Sequence, residues 1–445
     1  MRENIQEYDV AIIGGGVTGT ALLYILSAFT DIKRVLMLEK YSALAQVNSA
    51  SKNNSQTLHF GDIETNYSLE KAAVAKDAAK MILFYLHEIG DPGNIVPYGP
   101  GKMVLGVGED EVKLLEERYE KFKKLFPNLK KLERNEIAKI ESMVVRGRDT
   151  REKILALYSS EACVIDFGKL AESFAREAKN IADERVSVFL NTKVKSIKKN
   201  GQIYEILSNN GSFKSKAVVV AAGAHSLLFA KSMGYGKEYS ILPVVGGFYY
   251  SPEVLKNKVY TVQREMLPFT SIHGDPDLNV LGKTRFGPTT RLQPWLEPRK
   301  YSTFMDFLKT FGFGINICLS IIKILSDRVI GRFILKNFSY DIPFFGKKFY
   351  LREARKIIPT LRLKDIDHAK GIGGIRPQIV DTKKKKLLMG EVKIVGDNII
   401  FNMTPSPGAS MCLKSAEADA KKVVEFFAGE YGIDQKRLDK ILHKL

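Results

Sequence analysis

Residues Tyr8 to Glu39 constrain this chain more than any other stretch. An apolar run, a glycine-rich turn, a helical segment and a second apolar run ending in an acid follow one another without a break. Val10-Ala11-Ile12-Ile13 leads into Gly14-Gly15-Gly16-Val17-Thr18-Gly19, and Val35-Leu36-Met37-Leu38 leads into Glu39-Lys40. An acid about twenty residues beyond the glycines is the spacing of a nucleotide-binding βαβ unit. Gly14 allows the tight turn, Gly16 lets the backbone approach a pyrophosphate, and Gly19 lets helix and strand pack closely. Amides at the helix start, around Val17 and Thr18, face the phosphates. Glu39 is placed to accept from ribose hydroxyls, with Lys40 beside it.

Two more clusters of the same kind lie far along the chain. Val186 to Leu190 and Val194 to Ile197 read as alternating strands, and Ala217 to Gly223 as a buried strand ending in small residues beneath a cofactor, so Val194, Ala222 and Gly223 are expected to touch it. Gly371 to Pro377, a strand over Ile399 to Asn402, and Thr404 to Ser410 opening a helix toward Phe427 form the last cluster. The nucleotide domain is therefore expected to be discontinuous, built from 1–75, 155–235 and 360–445, with 76–154 and 236–359 forming a second domain. The expected class is α/β, a Rossmann-type domain joined to a mixed-sheet α+β domain.

A chain of 445 residues is long enough for two such cores. Its formal charge of +18 implies an anionic partner without choosing among nucleic acid, membrane surface and anionic substrate. Lys383 to Lys386 sit between Ile379-Val380 and Leu387-Leu388-Met389, the pattern of a solvated hairpin tip. Cys163, Cys318 and Cys412 are widely separated and read as small buried hydrophobes in a reducing compartment. The first residues show no basic, apolar, cleavable leader, which points to a cytoplasmic protein.

The three clusters resemble the FAD-dependent oxidoreductases related to D-amino-acid oxidase and glycerol-3-phosphate dehydrogenase. Ser49 to Tyr67, His273 to Pro288, Gly374 to Gln378 and Thr404 to Ser410 resemble, more narrowly, the malate:quinone oxidoreductase family in its shorter form, over essentially the whole chain. L-2-hydroxyglutarate dehydrogenases share the context of His59 and parts of the tail. The resemblance implies non-covalent FAD, contacted by the polar loop residues Ser49, Asn53, Asn54, Ser55, Gln56 and Thr57. No metal site is implied. It also implies that Gly408, Ala409 and Ser410 aim backbone amides at the flavin, where reduction builds negative charge.

Oxidation of a 2-hydroxy acid needs a hydride acceptor, a base for the hydroxyl proton and cations for the carboxylates. Of six histidines, His273 is the first candidate base and His59 the second, an imidazole being suited to the step. His225, close to Gly223, is expected at the adenosine side or in a structural role. Arg376, at the Arg-Pro step, is the expected bidentate carboxylate clamp, with Gln378 beside it and Arg285 as the second cation for a dicarboxylate.

No second glycine fingerprint follows, so nothing in the chain obviously exchanges electrons with NAD(P), and the resemblance implies a quinone as the acceptor. Residues 299–356 interleave Phe311, Ile315, Leu319, Ile322 and Leu325 with Lys323, Arg328, Arg332 and Lys336. The apolar part is too short to span a bilayer, and it reads either as a basic, amphipathic surface lying on anionic lipid or as a helix pair packed in the second domain. The expected reaction is oxidation of (S)-malate to oxaloacetate at the inner face of the cell membrane. Its rivals are an L-2-hydroxyglutarate or other 2-hydroxy-acid dehydrogenase and, distantly, an RNA-modifying flavoprotein, which lacks any recognisable RNA module.

Overall fold

The computed structural model describes residues 6–91, 95, 101–161, 164–263, 272–312, 314–340, 342, 344–388, 390–404 and 407–444. Cys163, Met389, Pro405 and Ser406, which figure in the reading above, lie outside these. The strand Glu7–Ile13 pairs in parallel with Val35–Leu38 on one side and with Gly211–Val220 on the other. Ile399–Met403 and Val186–Phe189 extend the sheet in parallel at either end, and Val392–Gly396 closes one edge antiparallel. A meander, Val194–Asn200 to Ile203–Ser208 to Gly211–Val220, feeds the central strand. Val10, Ala11 and Ile12 are fully buried, because helices Val17–Phe29, Phe167–Ala182 and Cys412–Phe426 cover one face. The other face packs against Tyr204, Leu227 and Phe401. Continuous apolar strands are what a parallel sheet covered on both faces demands.

A second sheet is ten-stranded among the described residues and mostly antiparallel. Its spine is the long strand Tyr239–Pro252, flanked by Ile375–Asp381 and Lys283–Leu292, beyond which lie His273–Pro276, Lys258–Thr261, Lys102–Val107 and Ile154–Ser159. Two of these strands shift the expected domain boundaries. Ile154–Ser159 and Ile375–Asp381 fall at or inside segments assigned above to the nucleotide domain, yet both are hydrogen-bonded into the second sheet. Strand membership is a long-range property, and an apolar strand next to nucleotide-domain sequence carries no local mark of the sheet it joins.

Lys383 and Lys384 stand in the turn between Ile375–Asp381 and Lys386–Leu387, as the hairpin pattern predicted. Four helices, Phe304–Phe311, Ile315–Ser326, Arg328–Ser339 and Gly346–Ile357, follow the long strands. The first two are bent by 102° with respect to each other, and no single helix among the described residues is long and apolar enough to cross a membrane. Cys412 is buried, but Cys318 is exposed, because it falls on the outer face of Ile315–Ser326.

Candidate active site

Gly14 has φ of 110°, and a Cβ there would lie 2.5 Å from the Ala221 carbonyl oxygen. A Cβ on Gly19 would lie 2.1 Å from the carbonyl oxygen of Gly14, so helix and strand touch backbone to backbone. The helix that starts at Val17 has no side-chain cap from Gly16, and the Val17 amide donates to Ser49 Oγ at 3.0 Å. In front of this helix start opens a cleft of about 1700 Å³, lined by Gly14, Gly16, Val17, Thr18, Glu39, Lys40, Ser49, Val194, Ala222, Gly223 and Ala409. Glu39 is held by the Gly15 and Tyr41 amides at 2.7 and 2.9 Å.

Residues of the second domain close the far end of the cleft. Glu297 bonds Lys40 and Tyr41 and lies 3.7 Å from His225 Nδ1. Burial works to raise the Glu297 carboxyl, but Lys40 outweighs it and the group lies below its ordinary value. His225 therefore sits at the end of the cleft away from the catalytic groups described next.

A second hollow of about 710 Å³ shares Asn48, Pro377, Thr404 and Ala409 with the first. Asn53, Asn54, Ser55, Thr57, His59, Phe248, Arg376, Gly408, Ala409 and Ser410 line it. Its wall is a seam between the two sheets. Asn48 clasps Ile375, donating to its carbonyl at 2.8 Å and accepting from its amide at 3.0 Å. The Gly373 amide donates to Lys52 at 3.0 Å, and Arg299 bridges Gly373 and Asn53. A Cβ on Gly374 would sit 2.4 Å from the Asn53 carbonyl oxygen, so only glycine allows the loop this close.

The turn Pro407 to Met411 precedes the helix proper, which begins at Cys412. The Ser410 amide is taken by the Pro407 carbonyl at 2.9 Å, whereas the Gly408 and Ala409 amides donate to no described residue. Ser410 Oγ instead accepts from the His59 amide at 3.0 Å, tying this turn to the polar loop.

His59 and His273 occupy different surroundings. His59 Nδ1 lies 2.7 Å from Glu64 Oε1 and Nε2 lies 3.5 Å from Ser55 Oγ. An anionic carboxylate only accepts, so Glu64 fixes the proton on Nδ1 and leaves the Nε2 lone pair for the cleft. Burial opposes ionisation of Glu64, but Lys102 and His59 outweigh it and bring the carboxyl down to about 2. His273 is 1 % exposed, lies between Tyr260 and Phe248, and lines neither hollow. Burial drives its pKa down to about 3, against Asp275, so the ring is neutral.

Arg285 and Arg376 also part ways. Arg285 is fully buried and donates to Asp275 at 3.0 Å and to the carbonyls of Asn54 and Ser55 at 3.3 Å. Lys258 extends this cluster, donating to Ser55, Thr57 and Asp275 at 2.8 to 2.9 Å. Burial lowers the Lys258 ammonium to about 8. Burial also opposes ionisation of Asp275, but Arg285 and Lys258 outweigh it and hold the carboxyl near 2. The cluster pins the loop 54–57 from behind. Gln56, fully buried, bonds the Ser51 carbonyl and accepts from the Leu278 amide, and it lines neither hollow. Arg376 does face the second hollow, and burial draws its guanidinium down to about 10. A cation kept from water in this way favours an anionic ligand. Gln378 lies two residues further along the strand, in a separate apolar pocket.

Glu64, Lys258, Asp275, Tyr260 and Asn48 were not found from the sequence. Only the five-residue offset of His59 and Glu64 offered a signal, and it is unspecific.

A glycine cradle under a helix N-terminus, opening into a second hollow with an arginine and a carboxylate-oriented histidine, fits an extended dinucleotide with its reactive ring at the substrate end. Residues 9–418 match the family model described as FAD dependent oxidoreductase, and the chain is a member of that class of enzyme. It is 40% identical over 437 residues to the malate:quinone oxidoreductase of Helicobacter pylori, covering 96% of this chain and 97% of that one. It is also 40% identical over 444 residues to the probable malate:quinone oxidoreductase of Campylobacter jejuni, covering 97% and 98%. The chain belongs to the malate:quinone oxidoreductase family. Its fold is similar to that of the FAD-bound L-alpha-glycerophosphate oxidase of Mycoplasma pneumoniae, with a TM-score of 0.62 at 19% identity over 96% of this chain and 97% of that one.

Proposed function

We propose that this enzyme oxidises (S)-malate to oxaloacetate and passes the two electrons to a membrane quinone. The observation that carries the reading is the joining of a dinucleotide cleft to a hollow that presents both Arg376 and the His59–Glu64 pair. The residues lining the two hollows would hold FAD, which would supply the hydride acceptor. That binding would be non-covalent. The Gly408 and Ala409 amides are available to negative charge on the flavin ring.

Arg376 grips a malate carboxylate through two parallel N–H donors. His59 Nε2 takes the hydroxyl proton as the carbinol hydrogen leaves with its electron pair, and Glu64 stabilises the imidazolium that results. Arg285 and Lys258 act from behind the wall, holding loop 54–57 in register with the substrate sheet, while His273 stays buried beside Asp275. This assignment reverses the order in which the sequence ranked the two histidines, because His59 is the one that lines the hollow.

The enzyme lies on the cytoplasmic face of the membrane. Half of the exposed large apolar side chains among the described residues fall within Tyr301 to Phe345. Ile315, Leu319, Ile322 and Leu325 recur on the outer face of one helix, bordered by exposed Lys323, Arg328, Arg332 and Lys336. Such a surface enters the headgroup boundary while its cations meet lipid phosphates.

The test is anaerobic bleaching of the purified yellow protein by a panel of 2-hydroxy acids. Malate is expected to bleach it fastest. Preference for 2-hydroxyglutarate, or no bleaching by any 2-hydroxy acid, overturns the reading.

A further inference from the structure

Beside the two cofactor hollows is a third, narrow one, lying between helices Ile315–Ser326 and Arg328–Ser339 and the second sheet. Leu242, Val244, Leu292, Ile321, Ile324 and Ile334 make most of its wall. Thr290, Arg291 and Gln378 are its polar members. Gln378 is 4% exposed and lines the hollow. An amide in a mostly apolar wall gains from a hydrogen-bonding partner, so the hollow suits a ligand that is apolar except for a hydrogen-bond acceptor.

The sheet sets where that ligand would lie. Arg376 and Gln378 are two residues apart on one strand, opposite Val244 and Leu242 respectively, so both side chains stand on the same sheet face about 7 Å apart along the strand. Pro377, between them, lines both cofactor hollows. On the other side, Leu325 and Phe338 line the third hollow and are themselves 45% and 64% exposed. The hollow thus has its inner end beside the flavin end of the cofactor site and its mouth on the exposed apolar surface.

We propose that this hollow is the docking site of a prenylated quinone, with the Gln378 amide donating to a ring carbonyl and the isoprenoid tail leaving between the two helices at Leu325 and Phe338. The inference rests on the quinone-dependent reading above and adds where the acceptor binds. Malate gives up two electrons and two protons in becoming oxaloacetate. The quinone takes up two electrons, by way of the flavin, and two protons to become the quinol.

The probe is a benzoquinone carrying one isoprene unit, and the material is the oxidised holoenzyme. Equilibrium dialysis without malate reads binding, and quinone KM in steady state reads function. Gln378→Leu removes the amide at nearly constant volume, and Ile334→Trp fills the hollow without touching a hydrogen bond. Each is expected to raise the dissociation constant and the quinone KM at least tenfold, about 1.4 kcal/mol. Binding of the probe by both variants as in the wild type overturns the proposal. Equal displacement of the probe by a short-chain phospholipid also overturns it, since the hollow would then be a lipid site. Wild-type enzyme that malate does not bleach refutes the function proposed above and leaves the dialysis result to judge the hollow by itself.

Discussion

Replacing Glu64 with glutamine tests the catalytic pair at one atom. The side chain keeps its size, and its amide oxygen can still accept from His59 Nδ1 at the present 2.7 Å. What it loses is charge. The Glu64 carboxyl is held down to about 2, a net preference for the anion. Burial opposes that preference, and Lys102 and His59 provide it. An imidazolium facing the amide forfeits roughly 1–2 kcal/mol, the gap between charge-assisted and neutral hydrogen bonds. The limiting rate of flavin bleaching by malate in anaerobic stopped flow should therefore fall about tenfold. FAD content and KM for malate should stay close to wild type. His59→Asn should cost about a hundredfold or more, and adding Glu64→Gln to it should cost little further, because the carboxylate acts through the imidazole. Additive losses in the double variant, or a wild-type rate in Glu64→Gln, would refute the pairing.

Arg376→Lys keeps the charge but not the two parallel donors, and it should weaken transition-state binding of malate by roughly 2–4 kcal/mol in kcat/KM while FAD stays bound; unchanged kinetics would remove this residue from the site. Glu64 and Asp275 both ionise below their ordinary values, so each contributes stability that is present above its unfolded pKa and lost as pH falls through its folded one. Denaturant titrations should show stability declining between about pH 4.5 and 2, on the order of 2–3 kcal/mol per group, and Glu64→Gln should flatten part of that slope; an unaltered slope would contradict the assignment. Vesicles of anionic lipid should co-sediment the enzyme in a salt-sensitive way, neutral vesicles should not, and charge reversal at Lys323 and Arg332 should release it, each cation being worth roughly 1 kcal/mol. Equal binding to both kinds of vesicle would rule out the basic surface.

The nucleotide half was legible because its signals are local. Glycines at 14, 16 and 19, apolar runs at 10–13 and 217–220, and the acid at 39 each impose a conformation on their own neighbourhood, and all but Gly19 line the same cleft or pack beneath it. The substrate half was legible only in outline. Arg376 reaches the hollow as the Arg-Pro step implied, yet nothing in the sequence around His59 and His273 separates them. Their difference comes from strand pairing, in which Tyr260 and Gly287 flank His273, and from Glu64, which has a partner only once the loop is folded. Arg285 reads from the sequence as the second cation for a dicarboxylate. Its strand faces Asp275 across the ladder, and that register buries it.

The seam clasped by Asn48, Lys52, Arg285 and Lys258 also bears on how the molecule comes apart. Its two sheets meet through the same loop that walls the flavin hollow, so neither can loosen without dismantling the cofactor site. The two domains are therefore expected to melt as one cooperative unit rather than in turn. FAD bound along the junction would act as mortar for both halves, and at about a hundred times its dissociation constant it would add roughly 2.7 kcal/mol to the whole fold. Flavin supply would then govern how much of this protein survives in a cell as well as how fast it turns over.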